Sequence, residues 1–196
     1  MANISIEEIK KLKELSGVGL TDAKQALVEA DGDFDKALEA MRKKGLTKAE
    51  KRGDRETREG LIDAYVHDGR IGAIVEVNCE TSFVAKTDEF KDLAHKIAMQ
   101  VASMSPLYVS TEDIPEDVMN AKKKELEENF NGPEKMKDQI IDGQIKKAFS
   151  DKVLMDQPYI LDDTKTVAEF IKDSIAKTGE NITVKQFKRI ELGVTE

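Results

Sequence analysis

Apolar residues recur at helical spacing in three short runs along the first 45 positions. Ile6, Ile9 and Leu12, with Leu15 at the end, predict a first helix. Ser5 and Glu8 before it form a capping box, in which each side chain satisfies the other residue's exposed backbone N–H. Ser16-Gly17-Val18-Gly19 breaks this run, because closely spaced glycines permit a tight turn. A second helix follows Thr21, with Ala23, Ala26, Leu27 and Ala30 on its inner face. Asp31-Gly32 predicts a turn, and Asp33 caps a third helix whose inner face is Phe34, Ala37, Leu38 and Met41. Gly45 suits the position just past its end.

The period changes at Gly60. Leu61 to Val66 is strand-like, Asp68-Gly69 is a two-residue hairpin signal, and Ile71, Ala73, Val75, Val77 and Cys79 alternate on one face. From Thr87 the helical period returns through Phe90, Leu93, Ala94, Ile97, Ala98 and Val101. Leu107-Tyr108-Val109 is expected as a short edge strand. Residues 116–149 are charged and helical in character, interrupted by Asn131-Gly132-Pro133. That reads as an antiparallel helical hairpin with a sparse apolar seam (Val118, Met119, Leu126, Phe130, Met136, Ile140, Ile141, Ile145, Phe149). Val153 to Ile160 is expected to be extended, with Pro158 at an edge. A capping box at Thr166 and Glu169 opens a helix with Val167, Phe170, Ile171 and Ile175 inward; Gly179 ends it, and Ile182 to Leu192 forms the last strand. The expected fold class is α+β. Residues 1–45 form a three-helix N-terminal module, and 46–59, with five basic and four acidic side chains, a charged linker. Residues 60–196 form an antiparallel-sheet core with a protruding helical hairpin.

Composition narrows the function classes. Of 196 residues, 31 are Lys or Arg and 39 Asp or Glu, for a formal charge of −8. That balance argues against a general nucleic-acid binder, which needs a basic face to release counterions. No apolar run approaches the roughly 18 residues of a membrane span. Met1-Ala2-Asn3-Ile4-Ser5 has neither the basic flank nor the apolar run of a secretory signal. The single cysteine, Cys79, offers neither an intrachain disulfide nor a Cys cluster for a metal. A cytoplasmic protein is expected, with no cofactor, no metal, no direct nucleic-acid contact and no membrane. No phosphate-cradling loop, nucleophile elbow or His-x-x-x-His pair is present, so an enzyme is not expected. A nucleophilic Cys79 stands as the enzymatic alternative against an inert structural thiol. His67, beside the hairpin turn, is either a surface turn residue or a partner contact.

The informative stretch is Asn78-Cys79-Glu80-Thr81-Ser82-Phe83-Val84-Ala85-Lys86. It joins a buried strand to a helix and carries an aromatic in a short connection. Phe83 is either a core plug or an exposed wedge, held at both ends and able to dock with little loss of entropy.

This stretch resembles the N-C-[EQ]-T-D-F-V-A-[RK] signature of the bacterial elongation factor Ts family. Leu12-Lys13-Glu14-Leu15-Ser16-Gly17-Val18-Gly19-Leu20-Thr21-Asp22-Ala23-Lys24 resembles that family's opening motif. Gly179-Glu180-Asn181-Ile182, with Phe187-Lys188-Arg189-Ile190-Glu191-Leu192-Gly193, resembles its C-terminal one. The motifs are correctly ordered and the likeness runs nearly end to end, at the length of the family's shorter members. The resemblance implies a translation elongation factor, the guanine-nucleotide exchange factor of the GTPase elongation factor Tu. It also implies a ubiquitin-associated-like N-terminal module. By the same resemblance Lys13, Leu20, Thr21, Lys24, Arg52 and His67 are partner contacts. Thr81, Ser82, Phe83 and Val84 correspond to the segment associated with dislodging Mg²⁺ from the partner. Two departures stand out: Ser82 replaces the family's Asp and removes a charge, and Thr21 replaces a common Met. A chaperone-like or ribosome-associated adaptor using the helical arm is the alternative function. A homodimer through the sheet edge stays open.

Overall fold

The three N-terminal runs fold as α1 (Ile6–Ser16), α2 (Leu20–Glu29) and α3 (Phe34–Glu50). The structure, a computed structural model, describes residues 4–16, 19–133 and 136–194. Met1 to Asn3 and the break expected at Gly17-Val18 lie outside the described residues. The Ser5–Glu8 capping box is formed: Ser5 N donates to Glu8 Oε2 at 2.9 Å and Glu8 N to Ser5 Oγ at 3.1 Å. The Ser5 N–H, and next the Ser5 hydroxyl donating to the same Oε2 at 2.8 Å, hold the Glu8 carboxyl below its ordinary pKa. Asp31 (φ 51°) and Gly32 (φ 84°) turn the chain after α2, and Gly32 N closes on Leu27 O at 2.8 Å. Asp33 accepts Lys36 N at 3.1 Å and starts α3. Ile9, Leu12, Ala23, Ala26, Leu27, Ala37 and Met41 form the buried cluster of this bundle. One difference concerns length. The pattern ends the third helix at Gly45, whereas α3 runs on to Glu50. A glycine inside a helix costs only about 1 kcal/mol, and the Lys, Leu, Ala and Glu residues beyond it favour helix.

Strands β1 (Glu59–His67) and β2 (Ile71–Cys79) make the expected hairpin. Asp68 and Gly69 both adopt positive φ (50° and 67°), and Arg70 N donates to His67 O at 2.9 Å. This is the geometry whose twist matches that of the paired strands. After β2 come α4 (Ser82–Ala85), α5 (Asp88–Met104), α6 (Glu116–Glu128) and α7 (Lys137–Phe149). Next are β3 (Pro158–Tyr159), β4 (Asp162–Thr166), α8 (Val167–Thr178) and β5 (Ile182–Glu191). The main sheet has the order β1-β2-β5. Leu192 N donates to Arg70 O at 2.8 Å, so β5 ends beside the start of β2 and runs antiparallel to it. Ala73, Val75, Val77 and Cys79 are the buried face of the central strand. The fold is α+β, with a helical N-terminal module and an antiparallel sheet.

The chain divides into two compact units. One holds the residues up to Ile62, Glu76–Ala94 and Glu169–Thr183; the other holds Asp63–Val75, His95–Ala168 and the residues from Val184. In the second unit α6 packs on α7 as the expected helical hairpin. Its seam is narrow: Ile141 and Phe149 are buried, whereas Val118 and Met136 are exposed. Leu107–Val109 contributes an isolated bridge, Tyr108 to Val153, rather than a strand. Val153–Ile160 is not extended throughout. A 3-10 turn covers Leu154–Asp156, and β3 has only two residues, paired with a β4 that the apolar pattern does not show. The cause is a pair of buried amides. Gln157 Nε2 donates to Asp151 O (2.7 Å) and Met104 O (3.2 Å), and Gln100 joins Gln157 Oε1 (3.1 Å), Pro158 O (3.1 Å) and Ile160 N (2.9 Å). Buried polar groups must be satisfied, and here that requirement overrides the local propensity.

Candidate functional site

The central strand β2 ends at Cys79 and the chain turns immediately into α4, a helix of four residues. Thr81 is its N-cap, and its side-chain oxygen faces Val84 N at 3.5 Å. Ala85 packs inward, and Thr87 closes the segment: its Oγ1 donates to Val84 O (2.8 Å) and accepts from Phe90 N (3.2 Å) to start α5. Between these anchors Phe83 is 85% exposed. It is therefore not a core plug; the ring is offered to solvent on a turn fixed at both ends. Thr81, Ser82 and Val84 are half-buried around it.

The turn is held by residues about one hundred positions away. Glu180 takes both Thr81 donors, the backbone N–H at 3.0 Å and the hydroxyl at 2.6 Å. In return Asn181 N donates to Glu80 Oε1 at 2.6 Å. The buried Asn181 amide also donates to Gly53 O (3.1 Å) and Arg55 O (2.8 Å), and Arg55 lies 3.4 Å from Glu80. Glu80, Glu180 and Asn181 are functional candidates that the sequence reading does not single out as site residues. The sequence signal is that Glu80 lies in the Asn78–Lys86 stretch and Glu180 and Asn181 in the C-terminal motif.

Cys79 is fully buried, and its thiol donates to Thr81 O at 3.3 Å. Burial, and secondarily the charge of Glu180, raise its pKa above the ordinary thiol value. A thiol in this setting is a poor nucleophile.

The other implied contacts fall in two places. Lys13 on α1 and Leu20, Thr21 and Lys24 on α2 are all exposed in the N-terminal bundle. Leu20, Lys24 and Val28 lie four residues apart and share one face of α2. Leu20 and Val28, at 53% and 55% exposure, thus flank a cation, and Val28 is a member of this stripe that the motif comparison does not single out. Arg52 is half-buried and spends one N–H on Ile175 O at 3.3 Å. His67 belongs to the second unit. Its Nδ1 is 3.0 Å from the Tyr65 hydroxyl and its Nε2 3.7 Å from Asp68. Tyr65 also meets His95 edge-on at 5.7 Å between ring centres, and His95 Nδ1 pairs with Asp63 at 2.8 Å. Among the described residues no three or more His, Cys, Asp or Glu side chains are placed to hold a metal ion, and no helix is long and apolar enough to cross a membrane.

Comparison with known proteins adds an independent finding. The family model described as elongation factor TS matches residues 6–194. The chain is 51% identical over 192 residues to Elongation factor Ts of Thermotoga sp. strain RQ2, covering 97% of this chain and 96% of that one. It is 48% identical over 195 residues to Elongation factor Ts of Moorella thermoacetica, at 97% and 96% coverage. To that of Fervidobacterium nodosum it is 46% identical over 194 residues, at 97% and 98%.

Proposed function

Because the chain belongs to the elongation factor Ts family, a family of elongation factors, we propose that it is a guanine-nucleotide exchange factor that binds elongation factor Tu and promotes release of GDP. The observation that carries this reading is the exposed Phe83 ring on a turn anchored from both sides. A rigidly held aromatic loses little entropy on docking, which is the property of a hot spot. The Leu20–Lys24–Val28 stripe of α2 supplies a second docking face of mixed apolar and cationic character.

The mechanism is linkage rather than covalent chemistry, and the protein is not an enzyme in the bond-breaking sense. A protein that binds the nucleotide-free GTPase more tightly than the GDP-bound form weakens GDP binding by the same factor. Phe83, with Thr81, Ser82 and Val84 around it, inserts into the partner and displaces an element that orders the partner's Mg²⁺ site. Phosphate charge is then poorly neutralised, and GDP leaves. GTP binds and expels the factor by the same reciprocity. The protein works in the cytoplasm, beside its partner.

The test is release of mantGDP from purified elongation factor Tu. Micromolar protein is expected to accelerate release severalfold or more. No acceleration at that concentration overturns the reading and leaves the adaptor in its place.

A further inference from the structure

Phe83 sits on a helix of only four residues. One isolated helical turn is unstable in water, since fixing the first turn costs more than its hydrogen bonds return. Its geometry must therefore be imposed from outside. The flank toward α5 is explained by Thr87. On the other flank the Thr81 carbonyl accepts the Cys79 thiol, and both Thr81 donors go to one distant carboxylate. Glu180 Oε1 accepts the Thr81 hydroxyl at 2.6 Å, and Oε2 accepts the Thr81 backbone N–H at 3.0 Å. With its proton committed to Glu180, the Thr81 oxygen turns a lone pair toward Val84 N, the capping contact that starts α4.

Glu180 is itself held. Its backbone N donates to Thr178 Oγ1 at 3.3 Å, just past the positive-φ Gly179 (79°). The neighbouring pair forms the mirror contact, Asn181 N to Glu80 Oε1 at 2.6 Å. Each glutamate thus bonds the backbone N–H of the residue that follows the other. This cross-clasp ties the end of β2 to the start of β5 through two charge-assisted bridges, which are shorter and stronger than neutral ones.

We propose that Glu180 is a positioning residue for nucleotide exchange: without touching the partner, it sets the cap of α4 and so the direction and rigidity of Phe83. This role rests on the exchange reading above. A supporting carboxylate of this kind preorganises the group that docks, and a loosely supported group loses rate even when present.

The experiment uses the full chain and two readouts. The chain contains no Trp, so Phe83→Trp installs a single indole fluorophore at the wedge, and its time-resolved anisotropy reports local motion without any partner. Glu180→Gln keeps size but accepts only one of the two Thr81 donors. It is expected to enlarge the fast local component of the indole anisotropy. With Phe83 intact it is expected to lower the maximal mantGDP release rate at saturating protein roughly tenfold, with little change in the half-saturating concentration. In the Phe83→Ala background the same substitution is expected to have no further effect. Should Glu180→Gln lose its fold, Glu180→Asp, which keeps the charge and shortens the reach, takes its place. An unchanged release rate, an unchanged indole anisotropy, additivity with Phe83→Ala, or losses that track melting temperature in both variants each overturn the role. An unmodified chain that fails to accelerate release overturns the exchange reading, and this role with it. Acceleration by the unmodified chain that Glu180→Gln leaves intact overturns the positioning role alone.

Discussion

Phe83 contributes almost nothing to its own protein's packing, since 85% of its surface faces solvent. Phe83→Ala is therefore expected to shift unfolding free energy by less than about 0.5 kcal/mol, while mantGDP release falls toward the uncatalysed rate. Thermal melts paired with release assays check this; a large drop in melting temperature would contradict the exposed geometry. Cys79 behaves in the opposite way. It is buried and its pKa is raised, first by burial and then by Glu180. The folded protein thus keeps the thiol proton at pH values where the unfolded chain has lost it. Its contribution to stability is intact below the ordinary thiol range and declines as pH climbs above it. Labelling by a disulfide reagent at neutral pH is expected to be slow in buffer and fast in urea; fast native labelling would show an accessible thiolate. The place of both residues at a strand-to-helix junction is legible in the apolar pattern. The direction of Phe83 is not, because alternation stops at Cys79 and the groups that set the turn lie about one hundred residues further on.

At the scale of elements, three glycines separate conformational from steric effects. Gly143 lies inside α7 with open space where a Cβ would stand. Gly143→Ala is expected to stabilise by about 0.5–1 kcal/mol through helix propensity and a less flexible unfolded chain. Gly69 also has open space but adopts φ +67° in the β1–β2 turn, so Gly69→Ala is expected to cost about 1 kcal/mol from backbone strain alone. Gly60 combines positive φ (153°) with backbone contact: an added Cβ would clash with Val77 O and meet Asn78 Cα at 2.7 Å. Gly60→Ala must push the β1 and β2 backbones apart, and a loss above about 2 kcal/mol is expected. Urea midpoints for the three variants check the order, and a Gly60→Ala protein as stable as Gly69→Ala would show that the strands yield easily. The elements read correctly from the chain are those with local causes: the Ser5–Glu8 box, the Asp33 cap, the Asp68-Gly69 turn and the period of α5. The misread ones have non-local or weak causes. The 3-10 turn and β3 depend on Gln100 and Gln157, buried partners 57 residues apart. The end of α3 turned on a propensity difference of only about 1 kcal/mol at Gly45.

For the molecule as a whole, the proposed exchange is a coupling between two ligands of elongation factor Tu, this protein and GDP. Calorimetry on elongation factor Tu with and without GDP is expected to show this protein binding the empty form at least about fivefold more tightly, the low end of ordinary coupling. A ratio of one would mean that tight binding has no leverage on the nucleotide, however strong the complex. The route of that coupling is separately testable by metal removal. If Phe83 acts by disturbing the partner's Mg²⁺ site, chelating Mg²⁺ with EDTA does part of the protein's work in advance. Basal mantGDP release rises, and the fold-acceleration added by the protein shrinks. Phe83→Ala should resemble the unmodified protein more closely in EDTA than in Mg²⁺, because the step the ring performs no longer limits the rate. Undiminished fold-acceleration in EDTA would leave exchange standing but move its cause away from the metal site. The exposed stripe on α2, with Leu20 and Val28 beside Lys24, would then be the proposed surface for the remaining coupling. Lys24→Glu would reduce it in both buffers alike.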